Sequence, residues 1–264
     1  MTISTQLSMF ETSNPTYDKG QALSNIRKLY AMWKNGKLGG EFMPEDSNPR
    51  LDKSEEINYI YFTLPMALNY QRNSYTLWEA ALKTFNDPST TYLFHPKQVV
   101  ARPRENIQSD LLKYKLALQP NKHTDIWITI CNTIVNTLDG NIKNLFKKCD
   151  YCVENILNEI QVVTKKGYPY LSGNKIANYW LYVMINYTDL VLLDRHNISV
   201  APDTHVIQAS QKLGLIDASL TGSIAQKEAV TSWEQILKDT EFSPIDIHTP
   251  MWLWSRGGFI PIED

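Results

Sequence analysis

Helical periodicity runs through nearly all of this chain and strand-like alternation through almost none of it, which restricts the fold more than any other property of the sequence. Residues 21–35, 56–72, 74–86, 107–118, 124–138, 141–163, 174–189, 204–213 and 226–239 each place apolar residues at helical spacing, or gather good helix formers, between turn signals. Only YLFHP (92–96) and NISVAP (197–202) invite an extended reading, because each ends in a proline that pushes its predecessor towards extended geometry. The first 55 residues, punctuated by NP, GG and SNP, read as a looser arm around one short helix, and residues 56–264 as a helical domain. A mainly α fold is predicted, with two helical lobes and a cleft between them as the place for a site.

The 264 residues are 43% hydrophobic and 20% charged, enough for one large domain or two lobes with real cores. No apolar run reaches the ~20 residues needed to span a bilayer, and MTISTQLSMFETSN has neither the basic start nor the apolar core of a signal peptide. A cytoplasmic protein without a membrane partner is expected. The net charge of −2 gives no overall attraction for nucleic acid, so a DNA-binding surface has to be a local basic patch or a set of backbone amides. The cysteines are Cys131, Cys149 and Cys152; CDYC offers two ligands and no second pair exists, so neither a metal nor another cofactor is expected. Ile142, Leu145, Phe146, Tyr151, Val153, Ile156, Leu157 and Ile160 run through and around that motif at helical spacing, which makes Cys149 and Cys152 helix residues in this reading.

Two stretches place chemistry-bearing side chains at helix starts. In YLSGNKIANYWL (170–181), Lys175 opens a helix whose inner face is Ile176, Tyr179, Trp180, Val183, Met184 and Tyr187. A cation is disfavoured there, since the unpaired N–H groups of a first turn amount to roughly +0.5 charge. With the helix ending near Lys166, this segment makes helix, hairpin, helix over about 152–187. Such a turn exposes backbone N–H groups that can hold a phosphate, and Lys165 and Lys166 add charge beside it. In VAPDTHVIQASQKLGLI (200–216), Asp203 follows Pro202 and can cap a helix with Val206, Ala209 and Leu213 as its buried stripe and Gly214 as its stop. Taken singly, the first is a corner between two helices and the second an N-cap.

Together the two stretches resemble the helix-hairpin-helix superfamily of DNA glycosylases. KIANYWL is similar to the segment that opens with the catalytic lysine in endonuclease III and in eukaryotic 8-oxoguanine glycosylases, and VAPDTHV to the segment carrying their catalytic aspartate. The long connection between them looks more like the archaeal GO glycosylase branch. So do LNYQRNSYTLWEAALKTF (68–85), KKCDY (147–151) and HTPMWLWSR (248–256), and the similarity covers roughly Tyr59 to Arg256. The resemblance implies that Lys175 is a nucleophile and Asp203 a catalytic carboxylate. It also implies that Trp78, Tyr179, Pro202, His248 and Trp252 surround an extruded base, and that Lys165, Lys166, Leu171 and Gly173 follow the DNA backbone. It departs at His248, where that branch has an aspartate four residues before its C-terminal tryptophan.

The chemistry needs these residue types. Breaking a base–sugar bond leaves positive charge on the deoxyribose, which a fixed carboxylate stabilises. A lysine amine attacks C1′ only when neutral, and at an ordinary pKa of about 10.4 almost none is neutral at pH 7. A helix N-terminus and an apolar wall of Tyr179 and Trp180 are expected to lower that pKa. The implied function is a monomeric DNA N-glycosylase with AP lyase activity that flips out a damaged base of the 8-oxoguanine type. Alternatives are the same reaction on a hypermodified base, such as glucosylated hydroxymethylcytosine in phage DNA, for antiviral defence; a non-catalytic DNA-binding module; and an N-glycosidase acting on a nucleoside or nucleotide.

Overall fold

The computed structural model describes residues 19–38 and 42–262, so the beginning of the N-terminal arm lies outside the described residues. Among those described there is no strand. The α-helices are α1 (Lys19–Lys34), α2 (Glu56–Thr63), α3 (Ser74–Asn86), α4 (Pro96–Val100), α5 (Arg104–Lys113) and α6 (Pro120–Thr137). They continue with α7 (Lys143–Lys148), α8 (Val153–Asn158), α9 (Asn174–Tyr187), α10 (Thr204–Lys212), α11 (Gly222–Leu237) and α12 (His248–Arg256). No helix among the described residues is long and apolar enough to cross a membrane.

Three local readings are corrected. The helix expected over 56–72 stops at Thr63, because Pro65 cannot continue it, and the chain goes on as a single tight turn, Pro65–Leu68. YLFHP is not extended: Thr91–Phe94 forms a tight turn and Pro96 opens α4, a position where the missing N–H is no loss. The segment 141–163 is two helices, broken where Asp150 and Tyr151 take φ of 53° and 55°. Cys149 and Cys152 flank that break, the first ending α7 and the second, in extended backbone, preceding α8. Cys152 Sγ donates to Asp194 Oδ2 at 3.1 Å, and the neighbouring Val153 N–H donates to Asp194 Oδ1 at 2.6 Å, capping α8 from outside its own segment.

The apolar faces sort into two cores. One is aromatic-rich and lies among α2 to α9, with Tyr61, Phe62, Trp78, Phe94, Trp127, Phe146 and Trp180 fully buried in it. The other joins the two ends of the chain: Ala22, Ile26, Leu29 and Met32 of α1 pack with Val206 and Ala209 of α10, Trp233 and Ile236 of α11, and Met251 and Trp254 of α12. The helix read in the N-terminal arm is thus 16 residues long and seated on the C-terminal helices. Each of its large buried side chains contributes about 1.5–3 kcal/mol of burial. Arg27 of α1 adds a two-point pair to Glu241, at 2.7 and 3.0 Å, on the exposed rim. NISVAP leaves the first core with Ile198 and enters the second with Val200, which brings the start of α10 opposite the start of α9 at one pocket.

Candidate active site

The hairpin before α9 is fixed from below. Leu171 is fully buried, and Gly167 lies against α6, where Thr133 Oγ1 donates to its carbonyl at 3.0 Å. A Cβ on Gly167 would stand 2.6 Å from that same oxygen, so the approach requires glycine. Tyr170 takes φ 63° and stacks on Tyr70 at 4.1 Å, with the Lys122 ammonium over both rings. Gly173 then precedes α9 without any side-chain cap, and Lys175 follows as the second residue of the helix, exposed and facing the pocket.

At the facing helix, Asp203 caps α10: its Oδ1 accepts from the Val206 N–H at 2.9 Å. Its Oδ2 accepts from the Trp252 indole N–H of α12 at 3.1 Å. Lys175, Ile176, Tyr179, Asp203, His248 and Trp252 all line one pocket of about 330 Å³, together with the segment around Asn69 to Tyr75 that leads into α3. Arg72 in that segment adds a second cation, oriented by donation to the carbonyls of Leu116 and Lys115.

Behind Tyr179 the wall is polar. His248 is 1% exposed, between the rings of Tyr179 (5.2 Å) and Tyr182 (5.3 Å), and neither of its nitrogens has a hydrogen-bond partner among the described residues. Burial pulls its pKa down to about 4, with Asp203 opposing and Lys175 reinforcing the shift, so at neutral pH the ring offers one donor and one acceptor. Glu45, in the turn Pro44–Asp46, is fully buried. Its Oε1 accepts from the Tyr179 hydroxyl at 2.8 Å and from the Trp78 indole at 3.0 Å, and its Oε2 has no partner among the described residues. Burial pushes this carboxyl up to about 7, against the pull of those two donors.

Of the residues singled out in the sequence, Lys175, Asp203, Tyr179, His248 and Trp252 meet in this pocket. Trp78 does not line it but lies fully buried behind it, on Glu45. Pro202 is buried, while its neighbours Ala201 and Asp203 face the pocket. Trp180 is no wall for Lys175: it lies in the first core, stacked on Phe146 and donating to Thr63. Lys165 and Lys166 are exposed on the hairpin, and Leu171 points into the core, which leaves only its backbone for a contact. Glu45, Arg72, Tyr75 and His205 join the site without having been marked by any local pattern.

No family model matches the chain, and no curated protein matches it in sequence. Among solved structures it is similar to an endonuclease III–DNA trapped covalent intermediate, an estranged-adenine complex, at 15% identity and a TM-score of 0.55, over 90% of this chain and 86% of that one. The likeness is one of fold. Over its described residues the chain has an all-helical, endonuclease III-like architecture.

Proposed function

We propose that the chain is a DNA N-glycosylase of the helix-hairpin-helix superfamily, with an AP lyase step, in which Lys175 is the nucleophile and Asp203 the stabilising carboxylate. The observation that carries this reading is the convergence of that amine and that carboxylate, from two helix starts, on one pocket with an aromatic wall. The neighbour of the same fold was captured as a covalent intermediate with DNA, the species a lysine nucleophile forms.

The Asp203 carboxylate stabilises positive charge as the base–sugar bond lengthens. The Lys175 amine bonds to C1′, the base departs with the electrons of the broken bond and gains a proton, and the amine loses one. The C1′–O4′ bond then breaks, O4′ takes a proton and the nitrogen lone pair forms the Schiff base, from which loss of a C2′ proton expels the 3′ phosphate by β-elimination. Tyr179, with His248 behind it, serves as the face against which the flipped base lies, and Trp252 borders it. The N–H groups around Gly173, with Lys165 and Lys166, suit the passing phosphates.

An oxidised purine of the 8-oxoguanine type is the first substrate to try. The unpaired imidazole of His248 favours, as a second reading, a modified base such as glucosylated hydroxymethylcytosine, since a neutral ring reads a different edge from a carboxylate. Borohydride should trap a protein–DNA adduct on the right duplex, and Lys175→Gln should abolish it in a folded protein. An adduct that persists in that variant moves the nucleophile elsewhere. Asp203→Asn keeps a capping side chain, so the fold should hold while excision collapses; full activity would remove Asp203 from the reaction.

A further inference from the structure

Glu45 is an expensive residue where it stands. It is fully buried, one carboxyl oxygen has no partner among the described residues, and the charge that acts on it there, Asp46 on its own turn, has the same sign. The groups that face it are the Trp78 indole from α3 and the hydroxyls of Tyr179, Tyr182 and Tyr187 from α9; Tyr187 donates to Asp46 at 3.0 Å. None of these is a cation. A glutamine would supply the same acceptor without an ionisable group, and an apolar side chain would avoid the unpaired oxygen, so packing alone does not account for a carboxyl here.

What the carboxyl does is visible at Oε1, where α3, α9 and the Pro44–Asp46 turn are tied together. Tyr179 lines the pocket along its ring and reaches back with its hydroxyl to that oxygen. The same ring lies against Tyr182 at 5.8 Å and 19° and against His248. Freed from Glu45, the hydroxyl would be a buried donor without an acceptor, and the ring would have reason to turn.

We infer that Glu45 is a positioning residue for the base pocket: by holding the Tyr179 hydroxyl and the Trp78 indole on one oxygen, it fixes the face against which a flipped base stacks and so sets which bases are accepted. This rests on the glycosylase reading above. The effect belongs to base binding rather than to the covalent step. It also depends on pH, since ionisation above about 7 places an uncompensated charge behind the ring.

The test uses the full chain and duplexes carrying 8-oxoguanine, uracil, glucosylated hydroxymethylcytosine or an abasic site. Glu45→Ala should raise the apparent KM for the preferred base about 10-fold or more, with kcat falling less, because a buried donor is left unpaired. In the wild type, affinity should fall as pH rises past about 7, and Glu45→Gln, which keeps the acceptor, should restore KM and abolish that fall. Tyr179→Phe, which removes the hydroxyl that Glu45 holds and so unties the ring without leaving a buried donor unpaired, should raise KM in the same direction but less, and it carries the test if Glu45→Ala does not fold. An unchanged KM and base ranking in Glu45→Ala and Tyr179→Phe, or a wild-type pH profile in Glu45→Gln, overturns the inference. Absence of base release from every modified duplex, together with absence of a borohydride adduct on the abasic one, overturns the glycosylase reading itself, and the role of Glu45 with it; base release without an adduct removes only the lyase step.

Discussion

The Trp252 indole N–H ends on one oxygen of Asp203 while the other oxygen caps α10, so this carboxylate is gripped from two helices. The ring also packs edge-on to His205 at 5.0 Å and lies 6.0 Å from Tyr75. Trp252→Phe keeps those ring contacts and removes the N–H. A hydrogen bond to a charged group contributes about 1.5–3 kcal/mol, so single-turnover excision should slow about 10- to 100-fold with little change in binding. A wild-type rate would leave Trp252 as a stacking surface alone. At His248, exchange for aspartate replaces a neutral donor and acceptor with acceptors only, which should reorder the preference among modified bases by about 10- to 100-fold. An identical ranking would take His248 out of recognition. That Lys175 and Asp203 stand at helix starts was legible in the sequence because each stands beside its own turn signal. Glu45 was not, because the partners that give it meaning, Trp78 and Tyr179, lie 33 and 134 positions away.

The helix α3 was legible because its own residues start it: its Asn73 cap accepts from the N–H groups of Tyr75 and Thr76. The break between α7 and α8 was hidden, since apolar spacing carries on across it and the cap of α8 comes from Asp194, 41 positions later. Asp194→Ala should therefore lower the urea midpoint by an amount equivalent to about 1 kcal/mol, and an unchanged midpoint would show the distant cap to be inert. The hairpin before α9 offers a paired comparison at Tyr170. Tyr170→Ala gives up the stack on Tyr70 and keeps the left-handed backbone, so it should destabilise by about 1 kcal/mol. Tyr170→Gly gives up the same stack but relieves a backbone cost of about 1–2 kcal/mol and should come out near neutral. Equal losses in both variants would mean that the stack alone matters.

On the scale of the whole molecule, the all-helical class was legible from periodicity, but the pairing of the chain's two ends was not: nothing local in α1 names α11 and α12 as its neighbours. The pocket depends on a similar long-range convergence, and it leaves two buried titratable groups near Tyr179. A glutamate ordinarily titrates at 4.5 and a histidine at 6.5, yet in the fold Glu45 keeps its proton up to about 7 and His248 stays without one down to about 4. The raised carboxyl pKa contributes stability at low pH that is lost as pH rises from 4.5 to about 7, and the depressed imidazole pKa contributes stability at high pH that is lost as pH falls from 6.5 to about 4. Each amounts to about 3 kcal/mol in full, and the two slopes cancel where the ranges overlap. Glu45→Gln should uncover the histidine slope, so that its stability relative to wild type grows between pH 4.5 and about 7 in urea titrations; a difference independent of pH would show that Glu45 titrates alike in the folded and unfolded chain. In the overlap, folding carries a proton from a histidine to a glutamate without exchanging any with the solvent. Two opposite charges vanish together, and the side chains behind the pocket wall are left to act by hydrogen bonding instead of by charge.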